Sequence, residues 1–190
     1  MKKAILYSLL MLFVVACETQ GDRNSNKQSF DRKGRPVYPE GPRNETMESN
    51  ADGDAAAFMY DAALLVRIQM ELASAAFRNS QNAKVKSYAQ DIVRNYKEVQ
   101  RDLTSTAAKV GLLLPEQFPA DTQEELTRLK SMKGQDFDRN YLGELRSGNP
   151  KMITAFEAGT DVITDEVKYF AETTLPVIKR VSDPVRLKGL

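Results

Sequence analysis

The chain contains no histidine and no tryptophan among its 190 residues, and it contains a single cysteine. Without histidine it lacks the usual general base near neutral pH and the commonest metal ligand. One cysteine cannot form an internal disulfide. An excess of either charge is also missing, since 27 basic residues face 26 acidic ones. Nucleic acid is therefore not expected as a partner, because phosphate binding requires a concentrated basic face.

The single cysteine, Cys17, directly follows a short apolar segment at the start of the chain. Two lysines precede an apolar run from Ala4 to Val15. This run has the length of a secretory signal and is too short for a transmembrane helix of about 20 residues. The small residue Ala16 before the cysteine suits lipoprotein signal peptidase. The pattern predicts that residues 1–16 are a signal peptide and that Cys17 is lipidated.

Lipidation of Cys17 would give a cell-envelope protein that is anchored to a membrane by acyl chains. Each buried methylene contributes about 0.8 kcal/mol, so two or more chains give stable anchoring. The alternative is an ordinary secretory signal followed by a cysteine without a role. A free thiol in an oxidising compartment is a liability, and this favours the lipoprotein.

Residues 17–51 are predicted to be a flexible linker that carries the lipidated cysteine. The segment is polar and rich in Gly and Pro, and it cannot bury enough apolar surface to offset its ordering entropy. Its sizeable apolar residues are Phe30, Val37, Tyr38 and Met47. An alternative is that Arg32 to Pro42 docks on a partner as an extended segment.

Residues 52–190 have the apolar periodicity of helices almost throughout. Apolar residues recur every three or four positions from Ala55 to Arg78, which predicts one long amphipathic helix. A second helix is predicted from after Asn82 to Gly111. Because only a short polar turn joins them, these two helices must lie antiparallel.

Two further helical units are predicted after a crossover near Pro115 to Pro119. The third begins at Asp121 or Thr122, is interrupted at Gly134 and resumes as far as Leu145. Gly148-Asn149-Pro150 predicts the next boundary. The inward positions of the last helix are predicted to be Ile153, Phe156, Thr160, Ile163, Val167, Phe170 and Thr174, with Pro176 breaking or kinking it. We therefore predict an all-α, up-down four-helix bundle with a broken third helix.

The stretch from Gly134 to Leu142, GQDFDRNYL, supports a family resemblance together with Ala155-Phe156-Glu157 and Thr174-Leu175-Pro176. From about Phe58 to Val181 the chain resembles a family of predicted bacterial outer-membrane proteins. That family is catalogued as the domain of unknown function DUF4142. The resemblance implies a ferritin-like helical bundle and an outer-membrane location, and it implies no settled activity.

The chain departs from this family at three positions where its members typically carry histidine. By register these positions fall on Tyr96, Asn149 and Val181, and a glutamate usual in the first helix falls near Val66. A ferritin-like metal site needs inward carboxylates and imidazoles that converge on one point. This chain has no imidazole, so we predict no metal and no cofactor.

Three polar residues, Gln69, Tyr96 and Thr160, fall on inward positions and form a candidate small-molecule pocket. The alternative is ordinary hydrogen-bonded core polarity, which we favour. Helix carboxylates could in principle bind a hard metal ion, but their spacing predicts that most face outward. They are Glu71, Asp91, Glu98, Glu157, Asp161 and Glu166.

No catalytic residues are predicted. Histidine is not available to activate Ser or Thr, no Gly-rich phosphate loop occurs, and Cys17 is reserved for lipid. The sequence favours a non-catalytic envelope lipoprotein that acts through protein contacts, in the outer membrane by the resemblance. The alternative is a module that binds a small ligand or holds a degenerate, carboxylate-based redox metal site.

Overall fold

The computed structural model describes residues 29–30, 36–37 and 53–188. Cys17, the predicted signal peptide and most of the predicted linker lie outside these residues. Ser29–Phe30 pairs antiparallel with Pro36–Val37, so that Ser29 lies opposite Val37. This pair lies within the range predicted as a flexible linker, and the sequence analysis did not anticipate it. It belongs to a compact unit that ends at Val37, whereas the helices belong to a second unit.

The second unit contains five α-helices and a short 3-10 turn. They are α1 (Gly53–Asn79), α2 (Ala83–Lys109), α3 (Ala120–Ser131), α4 (Gly134–Gly159), α5 (Asp165–Val181) and the 3-10 turn Pro184–Leu187. Helix α1 packs against α2 and α4, and α5 packs against the same two helices from the other side. The prediction of an all-α, ferritin-like four-helix bundle is confirmed by α1, α2, α4 and α5.

Neighbouring helices of the bundle run antiparallel. Gly148 of α4 lies against Gln69 of α1, and Gly159 lies against Phe58, so α4 descends as α1 ascends. We call the end with the α1–α2 turn the upper end and the end where α1 begins the lower end. Because α2 ends low and α4 begins high, the predicted crossover must climb the bundle, and α3 forms the upper part of that climb.

Local signals explain where several helices begin and end. The Asn82 side chain caps α2 by accepting hydrogen bonds from the backbone N–H groups of Lys84 and Val85. Gly134 has a φ of 57°, a left-handed conformation that lets the chain turn sharply between α3 and α4. The predicted interruption at Gly134 is therefore confirmed.

Helix α3 is attached to the outside of α1 near the upper end. The Asn79 side-chain amide donates to the carbonyl of Lys130 at 2.9 Å, and the Lys130 ammonium pairs with Glu71. Leu126 and Leu129 of α3 are buried against the bundle. Burying each of these leucines stabilises the fold by about 1.5–3 kcal/mol.

The boundary predicted at Gly148-Asn149-Pro150 is wrong, because α4 continues through all three residues. Pro150 removes one backbone hydrogen bond from the helix. Tertiary contacts compensate, since Gly148 allows Gln69 to approach closely and the Asn149 side chain bonds to α2 and to the end of α5. A sequence signal that usually ends a helix here serves close packing instead.

The predicted single last helix is also wrong, because the chain breaks between Gly159 and Asp165. Ile163, predicted to face inward, lies in this break and is 82% exposed. Of the two outcomes predicted for Pro176, a break or a kink in the last helix, the break does not occur, since α5 runs on to Val181. Just above the break, the rings of Phe58, Phe156 and Phe170 pack against one another and form the lower core.

Candidate functional site

Three tyrosines form the polar centre of the upper bundle. Tyr88 and Tyr96 are eight residues apart on α2, which places them on one face two turns apart. Tyr141 projects from α4 and is fully buried, with its ring stacked on Phe137 at 5.5 Å. Phe137 is fully buried as well, so the two rings anchor α4 in the core. All three hydroxyls therefore lie inside the protein, where each one needs a hydrogen-bond partner.

The hydroxyls of α2 are bonded to the end of α5. Tyr88 donates to the carbonyl of Val181 at 2.8 Å, and the hydroxyls of Tyr96 and Ser182 are 3.2 Å apart. Asn149 donates its side-chain amide to the Ser182 carbonyl at 3.2 Å and to the Tyr88 hydroxyl at 3.4 Å. The last carbonyls of a helix have no partner within the helix. The tyrosine cluster therefore completes the end of α5.

Burial keeps these tyrosines protonated. It raises the pKa of Tyr96 to about 12, although the hydrogen bond with Ser182 acts in the opposite direction. Burial also raises the pKa of Tyr88 and, more strongly, that of Tyr141. The neighbouring Tyr88 and Tyr96 raise the pKa of Tyr141 further. At neutral pH the cluster presents neutral hydroxyls, which can donate and accept hydrogen bonds but cannot serve as bases.

The Tyr141 hydroxyl differs from the other two because it has no hydrogen-bond partner in the described part of the chain. Two other buried oxygens share this property: a carboxylate oxygen of Asp138, a partly exposed residue, and the side-chain carbonyl of Gln69, a residue buried in the bundle like Tyr141. Leaving a buried polar group without a partner costs about 1–3 kcal/mol. Of these three atoms, those of Gln69 and Tyr141 belong to buried residues and remain available to a small polar molecule.

The 3-10 turn after α5 closes the cluster on the solvent side. The Arg186 guanidinium lies 4.8 Å from the ring centre of Tyr88 and forms an ion pair with Asp91 at 2.6 Å. Leu187 of the same turn is buried. A cation over an aromatic face adds about 0.5–1 kcal/mol at a partly exposed site. These contacts therefore hold the 3-10 turn against Tyr88.

The predicted pocket of Gln69, Tyr96 and Thr160 is wrong as a set. Tyr96 lies in the cluster, and Gln69 is buried at the α1–α4 contact beside Gly148. Thr160 is half-exposed at the lower end, where its hydroxyl donates to the carbonyl of Glu157. Along α4 it lies about 16 Å below Asn149, at 1.5 Å per residue. Helical periodicity placed Thr160 incorrectly because α4 ends at Gly159.

The three positions that the family resemblance assigned to histidine meet at this cluster. Tyr96 and Asn149 both contact Ser182, and the carbonyl of Val181 accepts a hydrogen bond from the Tyr88 hydroxyl. The sequence analysis missed Tyr88, Tyr141 and Ser182 as members. The spacing of Tyr88 and Tyr96 by two helical turns could have indicated the first, whereas only the fold brings in the other two.

Carboxylates do not converge within the bundle. In residues 53–188, no group of three or more Asp, Glu, His or Cys side chains is placed to hold a metal ion. Three of the helix carboxylates named from the sequence form ion pairs at the surface: Glu71 with Lys130, Glu157 with Lys179, and Asp91 with Arg94 and Arg186.

A groove on the outside of the bundle follows the seam between α1 and α2. It has a volume of about 670 Å³ and an apolar floor that includes Phe77, whose side chain is 48% exposed. Basic side chains stand along its rim. Its lining residues are Ala73, Ser74, Phe77, Arg78, Gln90, Val93, Arg94, Lys97 and Glu98.

The fold and the cluster define a ferritin-like four-helix domain whose interior polar groups join α2, α4 and the end of α5. The chain belongs to the family described as "Domain of unknown function (DUF4142)", whose model matches residues 40–186. No curated protein matches it. Of the helices in the described residues, none has the length and apolarity needed to cross a membrane.

Two solved structures share the fold. A DUF305 fragment from Deinococcus radiodurans is 18% identical, with a TM-score of 0.62 over 74% of this chain and 99% of that one. A DUF305 protein from Streptomyces coelicolor, described as a predicted secreted protein, is 13% identical. Its TM-score is 0.56 over 70% of this chain and 89% of that one. At these identities the similarity shows the fold alone.

Proposed function

We propose that this protein is a non-catalytic lipoprotein of the bacterial cell envelope that acts through protein contacts. The observation that carries the proposal is that the polar groups of the tyrosine cluster form hydrogen bonds within the protein itself. Tyr88, Tyr96 and Asn149 are all bonded to the last residues of α5, so they hold the bundle together. Neutral tyrosines in such bonds offer neither a base nor a nucleophile to a substrate.

The open groove between α1 and α2 supports the second half of the proposal, the action through contacts. Phe77 is one of the few large apolar side chains exposed on the described residues, and it lies in this groove. Aromatic residues in a depression with a polar rim are typical of protein-binding surfaces.

The sequence before the bundle supports the envelope location. Cys17 follows a signal-like segment, and the fold neighbour from Streptomyces coelicolor is described as a predicted secreted protein. The family resemblance favours the outer membrane. Replacing the cysteine, Cys17→Ala, should leave the bundle folded and release the protein from membranes. Fractionation and labelling with radioactive palmitate measure this, with the unaltered chain as control. A Cys17→Ala protein that stays with the membrane would refute the lipid anchor.

The non-catalytic part of the proposal is tested by Tyr96→Phe. This change removes the hydroxyl contact with Ser182 and keeps the ring, so stability should fall by about 1 kcal/mol. Cells that carry the variant should behave like cells with the unaltered protein. If a Tyr96→Phe protein is folded and abundant but fails to complement a deletion, the hydroxyl has a chemical role and the proposal is wrong.

A second candidate function is the binding of a small polar molecule or a metal ion inside the bundle. It is favoured by the unpartnered side-chain oxygens of two buried residues, Gln69 and Tyr141. Elemental analysis and native mass spectrometry of the protein, purified without chelators and exposed to ferrous iron and manganese, decide between the candidates. Stoichiometric metal or a bound molecule would establish the second function. A metal-free, ligand-free and folded protein supports the first.

A further inference from the structure

The seam between α1 and α2 has two similar halves. Each half has, on α1, a small residue followed three and four positions later by an apolar residue and an arginine. The lower set is Ala63, Val66 and Arg67, and the upper set is Ser74, Phe77 and Arg78. Eleven residues separate the two sets, which is three helical turns, so both lie on one face of α1. On α2, Gln100 with Leu103 and Gln90 with Val93 repeat a second pattern.

The protein's own crossover covers part of the lower half, where a smaller cavity of about 360 Å³ remains beside it. The irregular crossover segment Leu114 to Glu116 lines it, with Leu114 packed against the core. The Arg67 guanidinium donates to the carbonyl of Pro115 at 2.6 Å and to that of Glu116 at 3.0 Å. It also lies 4.5 Å from the ring centre of Phe118. A non-helical peptide is thus held there by two kinds of contact. An apolar residue packs in the seam, and an arginine donates to two successive carbonyls.

The upper half has the same parts but is open. Phe77 is half-exposed, and Arg78 forms no hydrogen bond or ion pair with any part of the chain that the structure describes, in contrast to Arg67. Lys97 adds positive charge to the rim, whereas Arg94 is paired with Asp91, and Glu98 is the one carboxylate among the lining residues. The rim is therefore complementary to an acidic segment.

We propose that the upper half binds a short non-helical segment of a partner protein in the manner in which the lower half holds the crossover. An apolar side chain of the partner fills the space between Phe77 and Val93, and Arg78 donates to two successive carbonyls. An acidic side chain then lies beside Lys97. This inference rests on the proposed function, for which it names the chemistry of the partner: an apolar residue followed by proline and an acid, as in the crossover.

The probe is a synthetic peptide that copies residues 113–118, Leu-Leu-Pro-Glu-Gln-Phe, acetylated and amidated at its ends. It is titrated into the chain from residue 17 onward carrying Cys17→Ser, and backbone amide shifts are followed by NMR. We expect saturable shifts in residues 73–78 and 90–98. Binding should weaken as the salt concentration rises, because exposed charges are screened.

Variants identify the groups responsible. Arg78→Ala removes a charged donor and should weaken binding about tenfold, and Phe77→Ala should have a similar effect. Arg146→Ala is the matched control, since it removes the same charge from the exposed face of α4 and should leave the affinity unchanged. A peptide with lysine in place of its glutamate should bind at least about tenfold more weakly. Circular dichroism confirms that each variant is folded.

Several results would overturn the proposal. Absence of saturable shifts in the upper half, shifts confined to the crossover, or equal binding of the lysine peptide each excludes it. If the peptide binds only after Tyr38-Pro39-Glu40 is replaced by Ser-Gly-Ser, the occupant is the chain's own linker. If dodecyl sulfate saturates the groove and the peptide does not, the occupant is an anionic lipid. Membrane release of Cys17→Ala is measured separately, so a failed groove leaves the lipoprotein proposal intact.

Discussion

Replacing Tyr88 by phenylalanine should destabilise the protein, whereas the same change at Tyr141 should not, although both tyrosines are buried in one cluster. Tyr88→Phe removes the donor to the Val181 carbonyl and the acceptor of the Asn149 amide. An unsatisfied buried carbonyl costs about 1–3 kcal/mol, so we expect a loss of about 2 kcal/mol. Tyr141→Phe removes a buried hydroxyl that has no partner, so stability should stay the same or rise by about 1 kcal/mol.

Urea unfolding followed by circular dichroism measures this difference. A change in the midpoint with an unchanged slope reports a change in the free energy of unfolding. The two variants lose the same atom from the same residue type, so each is the control of the other. If Tyr141→Phe destabilises the protein as much as Tyr88→Phe does, the Tyr141 hydroxyl has a partner such as a bound molecule. That result would refute the structural interpretation of the cluster and favour the ligand-binding alternative.

Three further predictions concern packing, pH and the closing turn. Gly159→Ala should destabilise the protein by about 1–2 kcal/mol in urea unfolding, because the new Cβ would lie 2.7 Å from the packed ring of Phe58. Gly143→Ala in the same helix meets no atom within 4 Å and should add up to about 1 kcal/mol; equal effects would contradict this account. Because the pKa of Tyr96 is raised to about 12 from 10.0, its contribution is complete below pH 10 and is lost as the pH rises towards 12. The unfolding midpoint of Tyr96→Phe should depend less on pH in that window, and an identical dependence would count against the buried hydroxyl. Arg186→Ala should speed amide hydrogen exchange at the end of α5 while α1 stays protected, and unchanged exchange would show that the ion pair with Asp91 does not fasten this end.

Much of the fold could be predicted from the sequence because the helices that form the bundle are long and amphipathic. The periodicity placed α1 and α2 to within a few residues, and Asn82 and Gly134 marked boundaries that the structure confirms. These features depend on residues within a few positions of one another. Local chemistry therefore suffices to predict them.

The errors in helix boundaries came where local and tertiary preferences disagree. Gly148 and Pro150 are helix-breaking residues, yet α4 passes through them because Gln69 needs the space beside Gly148 and Asn149 bonds across the core. Propensity is a weak preference that tertiary contacts override. Ile163 was assigned inward by continuing a period past the point where the helix ends.

The sequence by itself determined the helical class, the antiparallel first pair and the composition that lacks imidazole. It also singled out Tyr96 and Asn149 through the family resemblance. Only the tertiary structure decided that these residues meet Tyr88 and Ser182, that Thr160 lies at the other end, and that the crossover lines one half of the α1–α2 seam and not the other. Periodicity assigns a residue to a face of its own helix, whereas convergence depends on how helices far apart in sequence are paired and offset along the bundle axis.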